Sequence, residues 1–82
     1  MSDVFATEMV DMKVMSTNGG NIGTLSNLII DQESGEVVDM IVKLDLDADR
    51  AGLQVADGGL AIVPFESIRA IKDYIVVDRN RG

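Results

Sequence analysis

The clearest pattern in the chain is a pair of apolar runs, residues 22–30 and 36–44, joined by a polar segment that ends in Gly35. Both runs are rich in isoleucine, valine and leucine. β-Branched side chains are stiff and suit a pleated surface, so the runs predict strands rather than helices. Gly35 can adopt a positive φ, which a hairpin connection of this length usually requires. The two runs therefore predict a β-hairpin around which the domain forms.

The second run also predicts which side of the hairpin faces the core. Side chains alternate between the two faces of a strand, so the run divides into two sets. One set is wholly apolar and is predicted to be buried: Val38, Met40, Val42 and Leu44. The opposite set is mixed: Val37, Asp39, Ile41 and Lys43.

Upstream of the hairpin, residues 11–15 alternate and predict a first strand. Asn18 and Gly19 follow in a polar segment, and an Asn-Gly pair favours the positive φ values of a tight turn. The next strand carries Gly23 near its start. A glycine inside a strand suggests a bulge or a tight bend, as at the corner of a barrel.

Downstream of the hairpin, residues 45–59 form an irregular polar stretch, in which the alternation of Leu53 and Val55 leaves room for a short extra strand. Pro64 is expected to end one strand and to begin a single helical turn at 64–67. Strands are predicted at 60–63, 68–71 and 74–78. Six short strands with almost no helix predict an all-β fold, a small six-stranded antiparallel barrel whose closure removes exposed edges.

Length and charge narrow the function classes. Eighty-two residues without cysteine form one domain that has no disulfide and buries only about 60% of its unfolded surface, so oligomerisation is an expected source of stability. The formal charge of −7 argues against nucleic-acid binding and against direct adsorption to an anionic membrane. Neither a membrane-spanning run nor a signal-peptide pattern is present, so we expect a soluble, cytoplasmic protein.

Catalytic chemistry has few candidates in this composition. The chain has neither histidine nor cysteine, so a nucleophile would be a serine or threonine without a histidine base. Phosphate-binding loops, dinucleotide-binding fingerprints and nucleophile elbows do not occur in the sequence. We therefore expect a protein that is not an enzyme and that uses no cofactor.

A calcium site is the sharper alternative. Asp45, Asp47 and Asp49 have the spacing of the first three ligands of an EF-hand loop. The sixth position is Arg50, where the loop needs glycine, and the twelfth is Ala56, where it needs a bidentate glutamate. These mismatches favour a solvated acidic loop, and a weak surface calcium site stays open as a second interpretation.

Protein interaction is the third possibility. Val37 and Ile41 belong to the mixed face of the second hairpin strand. The run 74–77 is apolar on both faces, so either its odd-numbered or its even-numbered residues must face outward. If the two strands lie close together, they form an apolar patch typical of an interface, which we predict to support a homodimer. The candidate interface residues are Val37, Ile41, Tyr74, Ile75 and Val77.

The order of these features resembles the PRC-barrel domain family, which includes the H subunit of the photosynthetic reaction centre and the C-terminal domain of the ribosome maturation factor RimM. The resemblance covers residues 9–78 of a single domain, 1–82. A glycine usual shortly before the first strand's valine is absent, and Asp11 lies in that region. The matching residues are Val14, Gly19, Ile22, Gly23, Leu25, Leu28, Ile30, Asp31, Ser34, Gly35, Val38, Met40, Val42, Ile62, Val63, Pro64, Phe65, Ile68, Ile71 and Asp73.

The resemblance implies a non-enzymatic interaction module. Free-standing members of this kind are typical of archaea, and some resemble the cell-division proteins (CdpB-like) that work beside SepF, the membrane anchor of the FtsZ ring. This implies SepF or another PRC-barrel protein as partner and recruitment to the division site. The alternatives are a RimM-like ribosome maturation adaptor and a small ligand- or calcium-binding module. The candidate partner-binding loop comprises Asp45, Asp47, Asp49, Arg50 and Leu53.

Overall fold

The computed structural model describes residues 8–79, which form seven strands and one short helical turn. The turn is a 3₁₀ helix at Phe65–Ser67 that follows Pro64, as predicted. The strands are β1 (Lys13–Ser16), β2 (Asn21–Ile30), β3 (Val37–Leu44), β4 (Gln54–Ala56), β5 (Leu60–Pro64), β6 (Ile68–Ile71) and β7 (Tyr74–Val77).

All seven strands belong to one sheet in the order β4-β5-β3-β2-β1-β7-β6. Neighbouring strands run antiparallel except for β1 and β7, which pair in parallel from Lys13 beside Tyr74 to Ser16 beside Val77. The all-β prediction is confirmed, but the six-stranded closed antiparallel barrel is wrong. The extra strand is β4, which pairs with β5, and the sheet is mixed because the last strand returns beside the first. β4 and β6 are the two edges of the sheet.

The predicted hairpin is confirmed as β2 and β3, the longest strands of the sheet. Its connection closes on Asp31, whose carboxylate accepts the Glu33 amide at 2.8 Å and whose carbonyl accepts the Gly35 amide at 2.8 Å. Gly35 has a φ of 77°, the left-handed conformation that glycine adopts without strain. These hydrogen bonds hold the end of the hairpin in a defined shape.

The core is formed by the inward faces of the curved sheet together with Met9. Three of the four predicted core residues of β3, Met40, Val42 and Leu44, are buried, but Val38 is exposed. The prediction for Val38 is wrong because the pairing of β2 with β3 shifts register beside it, with Ile29 opposite Asp39 and Ile30 opposite Val37. Such an irregularity breaks the strict alternation of faces on which the prediction depended.

The two edge strands of the sheet, β4 and β6, do not pair with each other. A cavity of about 40 Å³ lies between the β4–β5 end of the sheet and the end of β7, and its lining includes Ile62 and Val63 of β5 and Val77 of β7. Arg79 spans this seam, donating hydrogen bonds to the carbonyl oxygens of Asp49 and Ala51. An arginine side chain therefore links the end of β7 to the loop that precedes β4.

Candidate functional site

The first carboxylate of the predicted acidic loop has local partners. Asp45 forms an ion pair with Lys13 of β1 at 2.5 Å and accepts a hydrogen bond from the side-chain amide of Asn21. The hydrogen bond from Lys13, helped by the one from Asn21, lowers the pKa of Asp45 below its ordinary value, against an opposing effect of burial. Asp45 thus anchors the start of the loop to the β1–β2 hairpin.

Asp47 shares the Asn21 side-chain amide with Asp45, whereas Asp49 has a local backbone partner. Asp47 accepts a hydrogen bond from Asn21 at 3.3 Å, and Asp49 accepts the backbone amide of Ala51 at 3.0 Å. Within residues 8–79, acidic side chains do not gather into a group of three or more that could hold a metal ion. The EF-hand spacing of the sequence is therefore not realised as a convergent set of ligands in this part of the chain.

The rest of the predicted partner loop divides between inward and outward residues. Leu53 packs against the core, so it has a structural role. Arg50 is exposed, and Leu46, which the sequence reasoning did not single out, is fully exposed. The loop presents one large apolar side chain to solvent, with Asp45 and Asp47 on either side in the sequence.

The predicted interface on β7 needs correction. Ile75 and Val77 are fully buried in the core, so they cannot form an outward patch. Ile75 and Val77 lie on the core face because β7 pairs in parallel with β1, which places Ile75 beside the buried Val14. Tyr74, on the opposite face, is 38% exposed.

The proposed continuity between β7 and β3 is also wrong. Strands β2 and β1 lie between them in the sheet, so Ile41 and Tyr74 are not on neighbouring strands. Ile41 is half-buried and pairs across the β3–β5 ladder with Ile62, which is also half-buried. Val37 is half-buried near the start of the same strand as Ile41.

A different apolar surface lies at the far end of the β2–β3 hairpin. Ile29, Ile30 and Val38 are 42%, 47% and 47% exposed, and Val37 pairs with Ile30 beside them. We call these four residues the hairpin tip. β1 pairs only with the beginning of β2, as far as Thr24, so it does not cover this end of the hairpin. The run Leu28-Ile29-Ile30 is apolar on both faces and is the sequence signal that could have identified the surface.

A groove opens beside the hairpin tip. It has a volume of about 530 Å³ and is lined by residues 36–39 of the hairpin and residues 64–66 before and within the 3₁₀ turn. Val38, Pro64 and Phe65 supply apolar lining, and Glu36 and Glu66 supply exposed carboxylates. The candidate functional site is thus an apolar surface with an acidic groove at its side.

The chain is similar to a known protein family along its whole length. The profile of the PRC-barrel domain matches residues 1–82. An uncharacterized protein of Methanocaldococcus jannaschii is 23% identical over 80 residues, which cover 98% of this chain and 86% of that protein. A helix long and apolar enough to span a membrane does not occur among residues 8–79.

Proposed function

Because the chain belongs to the PRC-barrel domain family, we propose that it is a non-enzymatic interaction module that docks a partner protein through its hairpin tip. The observation that carries the proposal is the exposed apolar end of the hairpin, where Ile30 and Val38 are each 47% exposed and Ile30 pairs with Val37, the chain neighbour of Val38. Ile29, 42% exposed, adds an apolar side chain on the opposite face of β2. Scattered apolar side chains are normal on a surface, but neighbouring ones are typical of an interface. The chain has neither histidine nor cysteine to supply common catalytic groups.

The identity of the partner is the finer part of the proposal. Resemblance to the CdpB-like proteins suggests SepF, or a second PRC-barrel protein, and a role in archaeal cell division. The match to a protein of Methanocaldococcus jannaschii is consistent with an archaeal setting. A ribosome maturation role of the RimM type would predict ribosomal proteins as partners instead.

A pull-down with matched variants tests the docking surface. The bait is the full chain, and purified archaeal SepF or an archaeal lysate is the prey. Ile30→Asp places a charge in the hairpin tip, whereas Val55→Asp places the same charge on a similarly exposed valine of the edge strand β4. We expect capture by the wild type and by Val55→Asp and loss of capture by Ile30→Asp. Equal capture by all three proteins would refute docking through the tip.

Self-association is a second part of the proposal. A chain of 82 residues without disulfides gains stability from oligomerisation, and Ile41 and Ile62 form an adjacent apolar pair across the β3–β5 ladder. We expect light scattering to give a mass above that of the 8.8 kDa monomer and Ile41→Asp to lower it. A mass unchanged by the substitution would exclude this pair from the dimer interface.

A further inference from the structure

The groove beside the hairpin tip begins where a β-ladder stops. β5 pairs with β3 from Leu60 beside Lys43 to Pro64 beside Asp39. Pro64 has no amide hydrogen, and after it the chain leaves the sheet into the 3₁₀ turn. Val37 and Val38 therefore lie beyond the last rung of the β3–β5 ladder, and residues 36–39 line the groove at this point.

The apolar lining of the groove suits a side chain of a bound peptide. Val38 is exposed, while Pro64 and Phe65 are half-buried on the opposite side of the groove. The volume of about 530 Å³ lies in the range of sites that hold small ligands or a few peptide residues. Beside Val37 and Val38 a bound strand can add main-chain hydrogen bonds, which is a recurrent mode of peptide recognition. At Glu36 the amide already donates to the Ser34 hydroxyl and the carbonyl already accepts from the Asp31 amide.

The charges around the groove favour a positively charged ligand. Every ionisable side chain that lines it is acidic: Glu36, Asp39 and Glu66. The two ion pairs seen within residues 8–79 join Lys13 to Asp45 and Arg69 to Asp78, so they involve none of the three carboxylates. A cluster of one sign raises the local concentration of opposite charge, which here means lysine or arginine.

We propose that this groove binds an extended segment of a partner protein in which an apolar side chain is flanked by lysine or arginine. The segment lies along Val37 and Val38, between β3 and the 3₁₀ turn, its apolar side chain contacts Val38 and Phe65, and its cations face Glu36, Asp39 and Glu66. This inference rests on the proposed docking function and adds the chemistry of the partner.

The test uses a synthetic fluorescent peptide in which lysine alternates with valine, and a control peptide in which glutamate replaces lysine. We expect fluorescence anisotropy to show binding of the lysine peptide alone, weakened when salt rises from about 50 mM to about 500 mM. Amide chemical shifts at 36–38 should move during the titration. Failure of the lysine peptide to bind, or shifts confined to other strands, would overturn the inference.

Matched variants separate the groove from general attraction to an acidic protein. Glu36→Gln, Asp39→Asn and Glu66→Gln together remove three charges at the groove. The control combines Glu8→Gln, Asp57→Asn and Asp73→Asn, three exposed acids that do not line it. We expect the groove variant to bind about tenfold more weakly and the control to bind as the wild type. If both variants bind the peptide equally more weakly than the wild type, the attraction depends on net charge alone and the site is refuted.

A third variant guards against misfolding. Val38→Lys alters one exposed residue and should block the lysine peptide while the circular dichroism spectrum stays native. The triple groove variant separates the two proposals, because its three acids lie outside the hairpin tip. If Ile30→Asp abolishes capture of the partner but the triple groove variant leaves both capture and peptide binding intact, the docking function stands and the groove inference fails. If capture does not depend on Ile30, the docking function fails by itself.

Discussion

Gly23 of β2 lies against the backbone of Lys43 in β3 so closely that a Cβ at Gly23 would stand 2.0 Å from the Lys43 carbonyl oxygen. The position is fully buried and pairs with both Val14 and Leu44. The register between β1 and β2 shifts here, since Val14 pairs with Gly23 and Met15 pairs with Asn21. The bulge that the glycine suggested is therefore confirmed, and it comes with a close approach of two backbones.

Gly23→Ala should destabilise the domain strongly. The new methyl group meets backbone atoms, which cannot rotate away, so β2 and β3 must separate locally; we expect a loss of about 2–3 kcal/mol. For a domain of this size that is a fall in melting temperature of roughly 10–20 °C. Gly58→Ala is not a suitable control, because Gly58 has a φ of 79°, which alanine rarely adopts. Ala56→Gly on the exposed strand β4 serves as the control, with an expected loss below about 1 kcal/mol. Similar melting temperatures for Gly23→Ala and the wild type would contradict the close approach.

Asp11→Gly should stabilise the domain. Asp11 has a φ of 78°, the only positive value among the non-glycine residues at 8–79. Its amide donates to the Leu25 carbonyl at 2.8 Å, so the conformation is fixed by the fold and glycine would adopt it without the strain of a Cβ. We expect a gain of about 0.5–1 kcal/mol, seen as a higher urea midpoint.

Asp11→Ala is the opposite control, because alanine cannot use a polar side chain to tolerate the left-handed region. It should be less stable than the wild type. Equal stability of the glycine, alanine and aspartate proteins would show that the backbone at this position is not strained.

The Lys13–Asp45 pair should make a small, pH-dependent contribution to stability. The pKa of Asp45 is lowered in the folded protein, so the pair stabilises the fold above the ordinary carboxyl pKa and loses this effect as pH falls through the lowered value. Lys13→Met should raise the Asp45 pKa in an NMR titration. Since the pair is partly exposed, we expect a change in stability near pH 7 of at most about 1 kcal/mol.

Lys72→Met is the matched control for that substitution, since it removes the same charge from an exposed turn between β6 and β7. It should leave the Asp45 titration unchanged. An Asp45 pKa that ignores Lys13 but follows total charge would contradict the assigned cause.

Arg79→Ala should loosen the seam. Arg79 holds the carbonyl oxygens of Asp49 and Ala51, which belong to the loop that crosses between the sheet ends. Losing these charge-assisted hydrogen bonds should cost about 1–2 kcal/mol and speed amide exchange at residues 49–53. Arg79→Lys keeps the charge but lacks the planar fork, so we expect partial protection. If the substitution speeds amide exchange only outside residues 49–53, the Arg79 guanidinium does not hold the loop.

The sequence predicts the local elements of this fold better than their assembly. The hairpin 22–44 and the turn at Gly35 follow from β-branched runs and one residue that tolerates positive φ. The parallel pairing of β1 with β7 joins Lys13 to Tyr74, and no local pattern encodes a contact between such distant residues. For the same reason local patterns do not determine which face of β7 is buried, and the prediction that Ile75 and Val77 belong to the interface is wrong.

The candidate site shows the same limit. Strict alternation predicts that Val38 is buried, and the register shift beside it makes that prediction wrong. The acidic groove combines residues 36–39 with residues 64–66, which become neighbours only after β5 has paired with β3. The acidic and apolar residues can be identified in the sequence, but their proximity in the folded protein cannot.

The β1–β7 ladder also constrains how the chain reaches its native state. Of the seven strands described within residues 8–79, β1 is made first, yet its partner on one side, β7, is made last. Until β7 emerges, the incomplete sheet leaves one side of β1 unpaired and the core without Ile75 and Val77. The seven-stranded sheet can therefore be completed only after β7 has been made, and a nascent or truncated chain that ends before β7 presents an open strand to its neighbours.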